Sequence, residues 1–244
     1  MTISKIDDYR SKGFKTKLLF HPKFKQTVNA LNSLKIRIPK NSETQEWDFS
    51  LFPYPRDGKL ISSLEKIGAY SLDAADGDEL LNEYPRIAAY DESINKFEAL
   101  EGSAYLTSHS LIIHNREEYY PSCFITFYFY TRAGVICKQS PSISYAEEPD
   151  KKAKEDYVID RNNFILQNIA DDTICFIDGP LVGGQVTSYT NRLNKELLLK
   201  NVIPFFFVKN SGSNLVVNNL EEVKDKFNSD LHWAQTILTE GQRT

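Results

Sequence analysis

The stretch that most constrains the fold of this chain is Asp171–Gly184, with the sequence DDTICFIDGPLVGG. Its apolar run Thr173–Ile177 has the length and β-branched content of a buried strand. The run ends at Asp178, and the proline and glycines that follow require a sharp turn before a helical pattern begins near Thr187. A carboxylate at the carboxyl end of a buried strand is where open α/β sheets place their chemistry. The alternative is an ordinary turn aspartate before the next helix.

The hydrophobic periodicity changes along the chain from that of strands to that of strands alternating with helices. Strands are predicted at 86–91, at 98–106 and 108–114 with Gly102 as a bulge, and at 123–131. Helices are predicted at 151–169, 187–200 and 220–238, with a break near Asn228 where Ser229 would cap a new helix. Strands at 173–178 and 203–208 lie between these helices. Short links favour antiparallel pairing of the first strands, and helical crossovers favour parallel pairing of the later ones.

The N-terminal third has a weaker pattern. We expect residues 1–84 to form a helical or irregular appendage, with helices at 24–34 and 60–72 and an acidic turn at 74–79. The remaining residues, 85–244, would form the second domain.

One common arrangement of a mixed sheet with this order of strands and helices places the fourth strand beside the first, as in ribonuclease-H-like folds. Asp91 and Asp178 would each end a strand and project from the same edge of the sheet. Because neighbouring strands are about 4.8 Å apart, the two carboxylates can converge on one cation. The sequence therefore predicts that 86–91 and 173–178 are adjacent parallel strands, in a sheet that also contains 123–131.

Four segments, taken in order, resemble the NurA nuclease family over about residues 86–244. RIAAYDESINKFEALEG resembles the first aspartate motif and FIDGPLVGG the second; VIPFFFVKNSGSN resembles the later strand with its lysine, and DLHWAQTILTEGQRT the stretch before a final catalytic segment. The resemblance implies a ribonuclease-H-like fold and a DNA nuclease that depends on Mn²⁺ or Mg²⁺. It also implies a homodimer and partnership with a HerA-type hexameric ATPase.

The chain departs from the family pattern in three places. Glu92 replaces the glycine of the family's Asp-Gly-Ser, and the family's histidine segment is not found before Thr244, so the chain is either a fragment or lacks the late catalytic group. The family's glutamate on the helix before the second aspartate has no clean match. Asp160 lies on the flank of the sheet-facing side of that helix and is the best-placed substitute, ahead of Asp156 and Glu155.

The resemblance and the helical geometry together yield a set of candidate site residues. Asp91, Asp178 and Asp160 are the predicted catalytic and metal-binding carboxylates; the alternatives are two turn aspartates and a solvated helix residue. Lys209 and Arg161 are predicted DNA contacts. Lys209 could equally be a strand-end charge, and Arg161 could instead hold a carboxylate or extend to solvent. Asp230 is a further late-carboxylate candidate, whereas the four histidines have no ligand spacing and are interpreted as structural or surface residues.

Composition limits the classes of protein to which the chain can belong. Aromatic residues make up 12% of the 244 residues, which argues against disorder, and the net charge of −4 provides no global field for nucleic acid. Bound metal ions would screen acidic residues from DNA phosphates. Three widely spaced cysteines without a CxxC favour a reduced environment. Without an apolar signal core or a membrane-length run, we expect a cytoplasmic protein with no membrane contact.

Three functions compete at this point. The first is a metal-dependent DNA nuclease that acts with a motor ATPase in DNA end processing or anti-phage defence. The second is a catalytically weak NurA-like subunit that docks or regulates the ATPase. The third is an unrelated α/β binding module in which Asp178 is only a turn residue.

Overall fold

A computed structural model describes residues 17–34, 45–46, 65–139, 143–181, 187–208 and 213–244. The helices and strands are, in chain order, β1 (Lys17–Phe20), α1 (Pro22–Ser33), β2 (Gln45–Glu46), β3 (Tyr70–Ser71), α2 (Ala74–Glu83), β4 (Arg86–Ala99), β5 (Gly102–Asn115), β6 (Glu118–Thr131), α3 (Gly134–Gln139), β7 (Ser144–Tyr145), α4 (Pro149–Asn168), β8 (Thr173–Asp178), α5 (Thr187–Leu199), β9 (Val202–Phe207), α6 (Leu215–Asn219), α7 (Asp230–Ile237) and β10 (Gln242–Arg243). The chain is α/β, and eight of the described strands belong to one mixed sheet.

The strands of the sheet follow the order β1-β6-β5-β4-β8-β9 in the described part of the chain, with β2 beside β4 and β7 beside β6. The pairs β4–β5 and β5–β6 are antiparallel, whereas β4–β8 and β8–β9 are parallel. The strands β4, β5 and β6 form an antiparallel meander, and its first strand, β4, is the parallel neighbour of β8. This confirms the predicted adjacency of 86–91 and 173–178, and the presence of 123–131 in the same sheet.

Helices α4 and α5 cover one face of the sheet. Phe164 and Ile165 of α4 and Leu193 of α5 pack in one cluster with Ala88 and Cys175 of the sheet. Helix α1 packs on β6 on the opposite face, where Ala30 meets Phe129. Fully burying side chains of this size contributes roughly 1.5–3 kcal/mol each. The sheet is thus covered by α4 and α5 on one face and by α1 on the other.

The chain divides into a sheet unit, which contains the described residues up to 46 and those of 84–207, and a small unit, which contains those of 65–83 and 208–244. This division differs from the predicted one at 84/85, because β1 and α1 pair and pack with β6. Within the small unit, β10 pairs with β3, and Trp233 packs with Val217, Leu220 and Val223.

Three local predictions in the small unit are wrong in whole or in part. A helix over 60–72 is not found in the described residues 65–72, which include strand β3 instead. The predicted turn at 74–79 is part of α2, which begins where the Asp73 carboxylate accepts a hydrogen bond from the Ala75 N–H at 2.8 Å. The predicted helix 220–238 is found only in its second part, as α7, and residues 221–226 form turns. The Ser229 cap is confirmed, since its hydroxyl accepts from the His232 N–H.

The strands of the meander β4–β5–β6 are longer than predicted, and the two strands predicted at 98–106 and 108–114 are wrong, because residues 100–101 form a turn and Gly102–Asn115 is one strand. β4 does not end at Asp91 but continues to Ala99, because β5 pairs with it over its whole length. Gly102 is not a bulge but the first residue of β5 after the hairpin turn. A Cβ at this position would overlap the carbonyl oxygen of Tyr130, so close approach of the two strands requires glycine.

Candidate functional site

The site is built from two carboxylates at aligned positions on neighbouring parallel strands. Tyr90 of β4 is the register partner of Ile177 of β8, and the next residues are Asp91 and Asp178. Tyr90 and Ile177 are buried beneath the helices, so strand alternation places both aspartates on the opposite face. Asp91 is exposed and Asp178 is half-buried. Because such strands lie about 4.8 Å apart, the pair shares one small area of the sheet.

Backbone hydrogen bonds hold the segment around each aspartate. The Glu92 N–H donates to Asp91 Oδ1 at 2.9 Å. After Asp178 the chain turns at Gly179, whose φ of 118° favours glycine and whose N–H donates to the Phe207 carbonyl at 2.7 Å. This contact ends β8 beside the end of β9.

Glu92 directs its side chain to the helix face, where its carboxylate joins a buried polar network. Its Oε2 accepts from the Tyr90 hydroxyl at 2.5 Å, and the same hydroxyl lies 2.6 Å from Nδ1 of His109. The Tyr157 hydroxyl of α4 also hydrogen-bonds Glu92. The Glu92 side chain is 21% exposed. Strands β4 and β5 and helix α4 are therefore joined by hydrogen bonds at Glu92, the residue that follows Asp91.

Arg161 supplies the positive charge of this network. It is 5% exposed, and its guanidinium donates to Thr190 Oγ1 of α5 at 2.9 Å and to Asn162 Oδ1 at 3.2 Å. Its charge acts on Glu92. Of the roles left open by the sequence, this placement favours holding a carboxylate, because a guanidinium buried in this way does not reach a DNA backbone.

Burial dominates the electrostatics of the network. Burial raises the pKa of Glu92, Asp178 adds to the rise, and Arg161 opposes it. Burial likewise raises the pKa of Tyr90 and of Tyr157, so both phenols stay protonated and act as donors. Burial, assisted by Arg161, lowers the pKa of His109 to about 3, so its imidazole is neutral.

Asp160 is placed in a different part of the sheet unit. Its carboxylate accepts a hydrogen bond from Tyr128 of β6, and burial raises its pKa. It lines a small cavity of about 120 Å³ together with His21, Lys23 and Asp156. No three His, Cys, Asp or Glu side chains within the described ranges are grouped closely enough to hold a metal ion, so the predicted three-carboxylate centre is not assembled there.

The other sequence candidates fall elsewhere. Lys209 and the glycine pair at 183–184 lie outside the described residues. Asp156 accepts from Tyr130 at 2.6 Å and pairs with Lys152. Asp230 organises the small unit, because its Oδ1 accepts from the Val216 and Val217 N–H groups.

The chemistry of the pair is that of hard anionic oxygen donors. Mg²⁺ is commonly held by one or two carboxylates together with water and substrate phosphates, rather than by a complete protein cage. Asp91 and Asp178 fit that pattern, and Glu92 does not join them, because its carboxylate is engaged on the opposite face. The donor set therefore suits a cation shared with a phosphate-bearing ligand.

No family model, curated protein or solved structure matches this chain. No helix among the residues described is both long and apolar enough to cross a membrane.

Sequence reasoning missed the network behind Asp91. The sequence marks Glu92 only as a departure from a motif, and it does not distinguish Tyr157 from the other residues of the predicted helix 151–169. A signal was nevertheless present: Glu92 occupies an inward position in the alternation Ala88, Tyr90, Glu92, Ile94, where a charge requires a buried partner.

Proposed function

We propose that this protein is a metal-dependent DNA nuclease with a ribonuclease-H-like sheet. The observation that carries the proposal is the alignment of Asp91 with Asp178 on adjacent parallel strands. The strand order, in which β8 lies beside β4, the first strand of the antiparallel series β4–β5–β6, is compatible with that fold. The NurA-like motifs are consistent with both, since the two aspartates are the motif residues.

In this proposal Asp91 and Asp178 hold Mn²⁺ or Mg²⁺. When bound, the ion supplies Lewis acidity and an activated water, which phosphodiester hydrolysis needs. The chain itself orients the carboxylates and offers them on an accessible face of the sheet. Asp160, which contacts Tyr128, is not included in this ligand set.

The proposed partners follow from the resemblance to NurA. They are DNA, a second copy of the chain, and a HerA-type hexameric ATPase that would feed DNA to the nuclease. The proposed setting is the cytoplasm, in DNA end processing or defence against foreign DNA.

The test is cleavage of DNA in Mn²⁺ by the chain together with its ATPase, with a parallel thermal unfolding measurement. Asp178→Asn should abolish cleavage, because an amide lacks the charge that holds a hard cation. Mn²⁺ should raise the wild-type Tm by linkage, and the variant's Tm much less. Asp160→Asn is the matched control and should retain both responses. A wild-type protein that neither cuts DNA nor gains stability from Mn²⁺ would refute the nuclease proposal.

A second function, a docking subunit of low activity, is favoured by one observation. The described residues contain no group of three potential ligands, whereas a fully equipped two-metal centre needs several carboxylates. This function replaces the first if the wild-type chain cleaves no DNA and the Asp178→Asn variant binds a HerA-type ATPase with the same affinity as the wild type.

A further inference from the structure

The position of Asp91 between two core-anchored residues has a functional meaning. Asp91 points to the exposed face, whereas its neighbours Tyr90 and Glu92 point into the α4 side of the sheet. Both neighbours are clamped there by short hydrogen bonds, through the Tyr90 hydroxyl to Glu92 and His109. Pairing with β5 holds the Asp91 backbone, but it does not by itself fix the χ angles of an exposed side chain.

We propose that Glu92 and Tyr90 are positioning residues that fix the carboxylate of Asp91 for cation binding, a role that rests on the proposed function. The coupling runs through the main chain. Glu92 donates its own N–H to Asp91 Oδ1 at 2.9 Å, so whatever fixes the Glu92 backbone also fixes that carboxylate oxygen.

The anchor on the other face is extensive. The Glu92 carboxylate accepts from Tyr90 and Tyr157 and faces the Arg161 charge, and Arg161 is itself held by Thr190. Strands β4 and β5 and helices α4 and α5 therefore all contribute to one restraint. Groups that orient a metal ligand in this way typically affect metal affinity by 10–100-fold.

The position also explains the replacement of glycine in the motif. A glycine after the aspartate offers the same N–H but no side chain to fix it. Here Glu92 provides both, so this chain adds a restraint that an Asp-Gly-Ser sequence lacks.

The experiment measures Mn²⁺ affinity directly, by electron paramagnetic resonance titration of free Mn²⁺, and does not depend on cleavage. Asp178→Asn identifies the site by removing the binding. Tyr90→Phe keeps the ring but deletes the hydroxyl clamp, and should weaken Mn²⁺ binding by about 10-fold or more. Tyr130→Phe is the matched control. It deletes an equivalent bond, to Asp156 at 2.6 Å on the same α4 side, and should leave Mn²⁺ affinity unchanged.

Glu92 is tested by a conservative pair of variants. Glu92→Gln retains an oxygen that accepts from Tyr90 and should retain more Mn²⁺ affinity than Glu92→Ala, which removes the anchor. A merely structural role would lower the Tm of Tyr90→Phe and Tyr130→Phe alike without separating their Mn²⁺ affinities, and that result would overturn the proposal. If the wild type binds Mn²⁺ tightly and Tyr90→Phe binds it equally well, the positioning role is wrong and the proposed function stands. If the wild type binds no Mn²⁺, both fail.

Discussion

The Tyr90 hydroxyl on β4 and Nδ1 of His109 on β5 lie 2.6 Å apart in the core of the sheet unit. The His109 side chain is fully buried, and its ring centroid is 4.7 Å from that of Tyr157. Its other nitrogen, Nε2, has no hydrogen-bond partner among the residues described. Because the Tyr90 hydroxyl donates its one proton to Glu92, the neutral imidazole donates its Nδ1–H to the Tyr90 oxygen, and protonating Nε2 would place a charge in an apolar setting near Arg161.

This contact predicts acid sensitivity. The pKa of His109 is about 3 in the folded protein and about 6.5 in an unfolded chain. Between these values the unfolded state binds a proton that the native state does not, so stability falls as the pH falls from about 6.5 towards 3. At pH 5 the loss from this group is about 2 kcal/mol relative to pH 8. Urea unfolding at a series of pH values measures it.

The matched variant for that measurement is His109→Gln, which keeps a polar side chain at this position but does not titrate. Its stability should depend less on pH than that of the wild type between pH 7 and 5. Parallel pH profiles for the two proteins would show that His109 is not the group responsible.

Thr107→Val should stabilise the protein. The Thr107 hydroxyl is fully buried and has no partner among the described residues, and the same holds for Thr126 directly opposite it on β6. Because valine has nearly the same shape, the change removes an unpaired polar group at a gain of about 1 kcal/mol. Thr173→Val is the control and should destabilise, since the Thr173 hydroxyl donates to the Ala170 carbonyl at 2.8 Å. Thermal unfolding of both variants should move the Tm in opposite directions.

Arg161→Met should destabilise strongly. It removes donors to Thr190 and Asn162 and leaves the Glu92 carboxylate without its positive neighbour, at a cost of roughly 2–3 kcal/mol. Arg192→Met deletes an exposed helical pair with Glu196 and should leave the stability nearly unchanged, because water screens such a pair. Equal denaturant midpoints for the two variants would contradict the role given to Arg161.

Ser229→Ala tests the small unit. The Ser229 hydroxyl caps α7 by accepting from the His232 N–H at 3.1 Å, and loss of such a cap costs about 1 kcal/mol. Ser188→Ala, at an exposed position of α5, is the comparison and should be close to neutral. A loss of α7 stability is read by hydrogen exchange of amides near Trp233; unchanged exchange there would argue against the cap.

Much of the sheet could be predicted because its signals are local. The apolar run before Asp178, the aromatic run 123–131 and the amphipathic helix 151–169 each imply their own structure. Their order then leaves few topologies. The extension of β4 past Asp91 was missed, since DESINK lacks a strand composition and is held by pairing with β5. Tertiary context overrode propensity at that segment.

The candidate site was only half predictable, for a similar reason. The neighbouring positions of Asp91 and Asp178 follow from the strand order, which the hydrophobic periodicity of the sequence predicts. The helix position of Asp160 gave its approximate side but not which strand it would face, and it contacts Tyr128 of β6 rather than β4. Likewise, Tyr157 and Arg161 lie one turn apart on α4, but no sequence pattern indicates that Glu92, which is distant from them in the chain, meets them.

The strand pairs join segments at very different separations along the sequence, and this difference affects the order in which the chain folds. The meander of β4, β5 and β6 is joined by short hairpins, so its contacts close small loops. The pairing of β4 with β8 must close a long loop that contains β5, β6, α3, β7 and α4. Because loop closure of that kind is slow, we expect β8 to add to a meander that has already formed. Asp91 and Asp178 would then meet only in a late folding step, and a nascent or misassembled chain would not yet contain the carboxylate pair.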